Sequence, residues 1–483
     1  MTRPLLAAAA SLGASLTLAG CANFAPADTR PPLPVAPAFD PELRPDGSVV
    51  AAQLSYREWF VDPRLERLIA TALASNRDLV AATARIEQAR AQYRIEDSRL
   101  LPTIVADASG TRTRQPLTGA TLAGQVAEED QAAVPDAITF NTFQVGVGIS
   151  SFEIDFWGRI ANLRDAARAR YLATIAAQRA FYLSLIADVA TTYYQIVESQ
   201  EQITLAEATA ESRREALRIE RVRLENGVTS ALPYRQAETL LTQAEQQVAS
   251  ERLTLAQLRN RLGVLVGGRV PEDLPAGLQL TEQADTRQLA AGLPSELLLV
   301  RPDIVQAEEL LRAARADIGA ARAAFFPSIS LTGRAGLTSD DLGDLFGDDG
   351  FGWTFGPSIS LPIFDGGARN AQLDFARAVE REEVANYDRT VQTAFREVAD
   401  ALAGRRWLAE QIETLERAVA AQERIARIAQ LRYREGVADY LEVLDAERNL
   451  FIAQQQLLAT RRAWLQNRAT LFVALGGGFD QAP

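Results

Sequence analysis

The chain has 483 residues, 47% of them apolar or aromatic, which is more than a single compact core requires. Its formal net charge is -12, arginine supplies essentially all the positive charge, and there is no histidine. An acidic chain offers no electrostatic footprint to nucleic acid, the commonest general base and metal ligand are missing, and a single cysteine, Cys21, excludes an internal disulfide.

The first 20 residues read as an address. Arg3 gives a positive start, and Leu5 to Leu18 is apolar but too short to cross a bilayer as a helix. Leu18-Ala19-Gly20-Cys21 puts small residues ahead of the lone cysteine, a pattern that resembles the bacterial lipobox. Residues 1–20 are then a cleaved signal and Cys21 the lipidated residue; an ordinary secretory signal with a chance cysteine is the alternative. Ala22, not an aspartate, follows, which by the same resemblance favours the outer over the inner membrane. Acyl chains hold a membrane through about 0.8 kcal/mol per buried methylene. Residues 21–60, with Pro26, Pro31, Pro32, Pro34, Pro37, Pro41 and Pro45, form an extended tether.

Beyond the tether the chain repeats itself. Residues 61–262 and 301–475 carry one order of elements: helix, two strands, a very long helix, a tight turn and a returning helix. Asp78 matches Asp303, Arg90 matches Arg315 and Pro102 matches Pro327 in one register. Phe156-Trp157-Gly158 matches Phe364-Asp365-Gly366, Gly227-Val228 matches Gly436-Val437, and Ala237-Glu238 matches Ala446-Glu447. The matches fall on turns and helix faces, which suits a duplicated scaffold better than a duplicated enzyme.

In chain order, the first helix spans about Arg77 to Arg99, and strands follow at about 102–114 and 138–155. Arg159 to Asn226 lacks glycine and proline, and Tyr182, Ile186, Val189, Tyr193, Ile196 and Ile203 recur at steps of three and four, with Gln200 in the stripe. That is a coiled-coil period over a helix of roughly 100 Å. After the turn at Gly227 a helix returns from about Ser230 to Leu262, and residues 263–300 form an equatorial linker region. The second half repeats this with a helix at 302–324, strands at about 327–338 and 351–363, and a hairpin over 368–475, whose long helix from Ala368 to Glu435 is interrupted only by Gly404 and turns at Gly436 into a helix from about Asp439 to Leu475. Its stripe is Val384, Tyr387, Val391, Ala394, Val398 and Ala401, and residues 476–483 are a tail. A plain antiparallel bundle would share the stripes, but the matched helix lengths suit a tube wall.

The strands alternate. Phe351, Trp353, Phe355, Ile359, Leu361 and Ile363 are interleaved with Gly352, Thr354, Gly356, Ser358 and Ser360, and Phe143 to Ile149 and Ser328 to Thr332 repeat the pattern. A strand with lipid outside and water inside needs that period; a half-buried soluble sandwich gives a similar one. The first strand is the weakest, both its faces being polar or small. Loops Pro116 to Pro135 and Asp340 to Gly350 are the expected external loops. If the strands do span a membrane, four cannot stand alone, because an open sheet leaves unpaired edges in hydrocarbon and closed barrels begin at about eight strands.

With these features the chain resembles the TolC-like outer-membrane efflux protein family over nearly all of its mature length. The run from Arg301-Pro302-Asp303-Ile304 through Ile318-Gly319-Ala320-Ala321-Arg322-Ala323-Ala324-Phe325-Phe326-Pro327-Ser328-Ile329 is similar to the lipoprotein branch typified by OprM. The resemblance implies an α+β membrane protein with two internal repeats. Four strands per protomer enter a shared transmembrane β-barrel of twelve strands in a homotrimer, above a long periplasmic α-helical barrel with a small equatorial region. It implies a lipid-anchored subunit in the outer membrane, docked to a periplasmic adaptor (membrane fusion) protein and an inner-membrane pump of the resistance-nodulation-division (RND) type. Drugs or other small toxic compounds would pass through it, with neither enzyme activity nor cofactor nor metal. Type I protein secretion or heavy-metal export shares the architecture, and a soluble periplasmic coiled-coil adaptor is a further alternative. An enzymatic lipoprotein is a third, against which the missing histidine and nucleophile motif weigh; Glu308 and Glu309 read as a solvated helix face.

The resemblance also points to residues. The turns Gly227-Val228-Thr229-Ser230 and Gly436-Val437-Ala438-Asp439 are the implied adaptor-docking tips. From the residues alone, glycine stops each helix and Ser230 and Asp439 are N-caps of the returning helices. Leu441 and Asp445 correspond to the periplasmic gate, and Tyr433 and Arg448 to polar positions that lock it. Leu441 and Asp445 are four apart and share a helix face; a core leucine beside a solvated acid is the plainer alternative. Three copies around an axis would give an apolar ring beside a carboxylate ring.

Overall fold

The structure, a computed structural model, describes residues 23–40, 49–50, 55–116, 137–283, 289–290, 299, 301–347 and 349–477. Cys21 and nearly all of the loop Pro116 to Pro135 lie outside these residues. In chain order the elements are β1 (Val49–Val50), α1 (Tyr56–Trp59), α2 (Pro63–Ser75), α3 (Arg77–Ser98), β2 (Ile104–Pro116), β3 (Ala137–Glu153), α4 (Arg159–Glu225) and α5 (Ala231–Leu265). Then follow β4 (Leu289–Ala290), α6 (Pro302–Ala323), β5 (Ser328–Ser339), β6 (Phe351–Ser360), α7 (Ala368–Arg434) and α8 (Tyr440–Ala474).

The duplication is written in the lengths. α3 and α6 each have 22 residues, α4 and α7 each 67, and α5 and α8 each 35. The last strand stops at Ser360, three residues before the expected Ile363. Pro362 has no N–H to continue the ladder. Gly404 does not interrupt α7. It lets α8 approach: a Cβ there would sit 2.2 Å from Oδ1 of Asn467, whose Nδ2 donates to the Ala401 carbonyl at 2.8 Å. Sequence periodicity gave no separate notice of α2. Its start is nonetheless encoded, with Pro63 in the first turn and the Asp62 side chain accepting from the Arg64 N–H at 2.8 Å.

The chain forms two compact units. The first is built from Met1–Thr29, Ala89–Tyr171 and Leu310–Glu383, the second from Arg30–Gln88, Leu172–Glu309 and Val384–Pro483. The first unit holds one antiparallel sheet of order β2-β3-β5-β6. Each repeat supplies a hairpin-paired couple, and β3 joins β5 in the middle, with a bulge between Ile149 and Phe152. Its helical part packs on small residues, Ala166 and Ala169 against Ala313 and Ala316. The segment after Cys21 lies along α6. Arg312 binds Asp28 at 2.9 Å, and Arg315 and Arg322 donate to the carbonyls of Thr29 at 2.8 Å and Phe24 at 2.9 Å.

In the second unit the coiled-coil stripe is the core. Ile186, Val189, Tyr193 and Ile196 of α4 are buried with Leu65, Leu68 and Ile69 of α2, Val398 and Leu402 of α7, and Leu465, Leu471 and Phe472 of α8. Each such side chain contributes roughly 1.5–3 kcal/mol on burial. The two-residue strands β1 and β4 pair in parallel in the same unit.

Candidate functional site

The sheet has two unlike faces. Its registers set Ile104, Ile149, Gly333 and Phe355 in one row, then Ala106, Val147, Ala335 and Trp353, then Ala108, Val145, Leu337 and Phe351. These rows share a face because side chains alternate with period two. Phe351, Trp353, Phe355 and Ile359 are exposed on it, Trp353 at 72%. An apolar face of this extent is stable only against another apolar phase. β2, featureless by itself, proves to continue this face. The opposite face carries Asp107, Gln144, Arg334 and Thr354 among Gly146, Gly148, Gly336 and Gly352. There the Arg334 guanidinium donates to Gln144 at 2.7 Å and Asp107 at 2.8 Å.

The outer edges of β2 and β6 have no strand beside them among the described residues. Thr338 N–H donates to the Gly350 carbonyl at 2.9 Å. In antiparallel pairing this fixes the N–H groups of Gly352, Thr354, Gly356, Ser358 and Ser360 toward β5. Those of Phe351, Trp353, Phe355 and Ile359 point to the free edge, as would that of Pro357, which has none to offer.

The helix turns of the second unit are built alike. Gly227 and Gly436 have φ of 73° and 71°, which glycine adopts without a Cβ penalty. Val228 N–H donates to the Arg223 carbonyl at 2.8 Å and Val437 N–H to that of Arg432 at 2.9 Å, and the glycine N–H groups donate to the Leu224 and Tyr433 carbonyls at 3.0 Å, the Schellman arrangement. Val228 and Val437 project as exposed apolar knobs. Ser230 and Asp439 stand at the N-cap positions with extended backbone, but neither side chain makes the capping hydrogen bond expected of it. At Asp439 the backbone carbonyl serves instead, accepting from the Glu442 N–H at 3.1 Å.

Leu441 lies on the first turn of α8, 61% exposed, and Asp445 one turn on. Asp445 is held by Arg448 and by Asn449 at 3.1 Å. Arg448 makes no bond to Tyr433; the structure groups it with Asp445. Tyr433 has its own network, which the sequence reading missed. Its hydroxyl donates to the carboxylate of Glu220 on α4 and accepts from Arg223, whose guanidinium also lies 4.9 Å over the ring. The Tyr440 ring packs against it, tilted, with centroids 5.2 Å apart. Glu220 is buried, with its second oxygen unpaired. Burial, then the Glu220 hydrogen bond and charge, push the Tyr433 phenol upward, so it stays a donor. Comparing the repeats would have found this site. Ala429 occupies the position in α7 that Glu220 holds in α4, and Gln236 the position of Asp445, so these two acids break the duplication, whereas Arg223 keeps it with Arg432 as its match.

A family model described as outer membrane efflux protein matches residues 68–268 and 293–477. The chain is 40% identical over 488 residues to the toluene efflux pump outer membrane protein TtgC of Pseudomonas putida, covering 99% of this chain and 96% of that one. It is 38% identical over 473 residues to the cation efflux system protein CusC of Escherichia coli O157:H7, covering 97% and 98%. The open-state MtrE outer membrane channel of Neisseria gonorrhoeae superposes with a TM-score of 0.84 at 38% identity, covering 94% of this chain and 98% of that one.

Proposed function

The chain belongs to the outer membrane efflux protein family, and on that footing we propose that three copies close their sheets into one outer-membrane barrel that passively conducts efflux cargo. The open sheet carries the reading. With an apolar outer face, a polar inner face and two free edges, four strands per copy give twelve in a closed ring. Family membership sets aside the soluble-adaptor alternative.

The long helices of the three copies form the periplasmic tube, closed at its end by rings of Leu441 and Asp445. The Tyr433–Glu220–Arg223 network holds α7 against α4 in that closed state, and the Asp445–Arg448 pair fixes the carboxylate. The tips Gly227-Val228-Thr229-Ser230 and Gly436-Val437-Ala438-Asp439 dock a periplasmic adaptor, and an inner-membrane RND-type pump supplies the energy, so this subunit takes no catalytic part. Cys21 carries the acyl chains that anchor it in outer-membrane lipid. The bonds from α6 to Phe24, Asp28 and Thr29 support that placement, since they hold the segment just after the cysteine against the unit that contains the sheet. Drugs, solvents or similar small toxic compounds are the cargo, in line with the toluene efflux relative. Export of metal cations is a second reading, favoured by the Asp445 carboxylate and by the likeness to a cation efflux protein.

Bilayer recording on detergent-purified protein, paired with sizing, tests the core of this. A trimer with single-channel steps is expected; a monomer without conductance would sink the channel reading.

A further inference from the structure

The outward face of the sheet changes character at one end. On β5 the apolar run from Ile329 to Leu337 covers roughly 26 Å at about 3.3 Å per residue, close to the height of a lipid-facing band. Beyond the row of Gly110, Phe143 and Ser339, the next outward residues on β2 and β3 are Arg112 with Asn141, then Arg114 with Thr139. No bulge interrupts β2, so Arg112 and Arg114 share the face of Ile104, Ala106 and Ala108. They lie at the end of the hairpin remote from α3 and α4. Both are exposed and make no ion pair among the described residues. Their register partners Asn141 and Thr139 are neutral, and the acidic residues of the loop that follows β5 lie beside Asn141 and Thr142 rather than paired with either arginine.

We propose that Arg112 and Arg114 form a docking surface for phosphate-bearing lipid headgroups of the outer leaflet. The inference rests on the barrel reading, which turns this face to lipid. Two arginines two residues apart on one strand have Cα atoms about 7 Å from each other, immediately above the apolar band where headgroups begin. Each offers a planar fork that matches a phosphate bidentately. Placed there, the arginines keep their stems on the apolar band and their charges at the headgroup level. Arg334 is the contrasting case. It lies on the other face and is already committed to Asp107 and Gln144.

The test is native mass spectrometry of the detergent-purified oligomer with added bis-phosphorylated lipid A, its phosphatase-treated form, and a neutral phospholipid. The parent should bind the phosphorylated form at least about tenfold more tightly than the treated one, as charge-assisted contacts to phosphate require. R112Q/R114Q should lose that preference, R112K/R114K should keep part of it, and R334Q should leave it intact. Equal binding by the parent and R112Q/R114Q overturns the proposal. So does a double variant whose oligomer loosens while its lipid preference is unchanged, which would mean that the arginines pair with a neighbouring copy's acidic Asp340 to Asp349 loop. Conductance is recorded on the same samples. A conducting parent without phosphate preference overturns the lipid assignment alone; a parent that neither assembles nor conducts overturns the channel reading and this one with it.

Discussion

A phenol that donates to a buried carboxylate works as a latch only while it keeps its proton. Tyr433 keeps it well above the ordinary tyrosine value of 10.0, because burial and the adjacent Glu220 both disfavour the phenolate. A group whose pKa is raised on folding stabilises the folded arrangement fully below its unfolded value, and loses that contribution only as pH passes the folded one. The closed-state conductance that depends on Tyr433 should therefore stay flat between neutrality and pH 10.0; a rise within that window would show that the phenol is not the latch. Tyr433→Phe removes the donor and leaves Glu220 with one fewer partner. A hydrogen bond to a charged group is worth about 1.5–3 kcal/mol, so the open fraction should rise roughly tenfold or more in single-channel recordings. Leu441→Ala combined with Asp445→Ala acts on the proposed constriction. Conductance of the closed entrance should increase, and Asp445→Asn alone should lower cation preference without widening it. An unchanged conductance in the double variant would count against the gate.

At the scale of elements, the two turns separate shape from contact. A Cβ added at Gly227 or Gly436 meets nothing within 4 Å, so Gly→Ala costs only backbone strain, about 1–2 kcal/mol each. Thermal melting should shift by a few degrees and conductance should hold. Val228→Asp with Val437→Asp leaves the turns intact but puts charge on both apolar knobs. It should abolish capture of a purified adaptor while single-channel steps persist, and retained capture would place docking elsewhere. The same elements mark what could be read in advance. Helix lengths, the glycine stops and the buried stripe from Ile186 to Ile196 follow from local rules, namely helix propensity, a 3.5-residue period and the left-handed glycine. The apolar face of β2 did not, because Ala106, Ala108 and Gly110 declare no face until the register sets them beside Val147, Val145 and Phe143. Glu220 and Arg223 were silent for a related reason. Their partner Tyr433 lies about two hundred residues away, and on α4 alone they look like solvated charges. The N-caps are a divided case: the positions are as expected and the side-chain bond is not made. Ser230 and Asp439 have the right residue type and backbone, yet the capping bond also needs a side-chain rotamer that composition does not dictate.

For the whole molecule, the hydrogen-bonding direction of β6 decides what assembly requires. Phe351, Trp353, Phe355 and Ile359 aim their N–H groups at the free edge, and each left unpaired in hydrocarbon costs several kcal/mol. A lone copy cannot meet that cost, whereas a ring meets it by placing β2 of the next copy alongside. The two kinds of position on β6 can be separated by proline, which removes one N–H. Pro357 already sits at an edge-facing position, so the strand accommodates the ring there. Phe355→Pro should likewise leave the protomer's own ladder intact and remove a bond to the neighbour. Thr354→Pro should break the ladder to β5. Both variants keep the helical second unit, so far-UV circular dichroism should change little. Phe355→Pro should shift the sizing equilibrium from trimer toward monomer and reduce the number of channels, while the channels that form keep the parent's conductance. Thr354→Pro should give no channels. If Phe355→Pro assembles as tightly as the parent, β6 is not the edge through which the copies join.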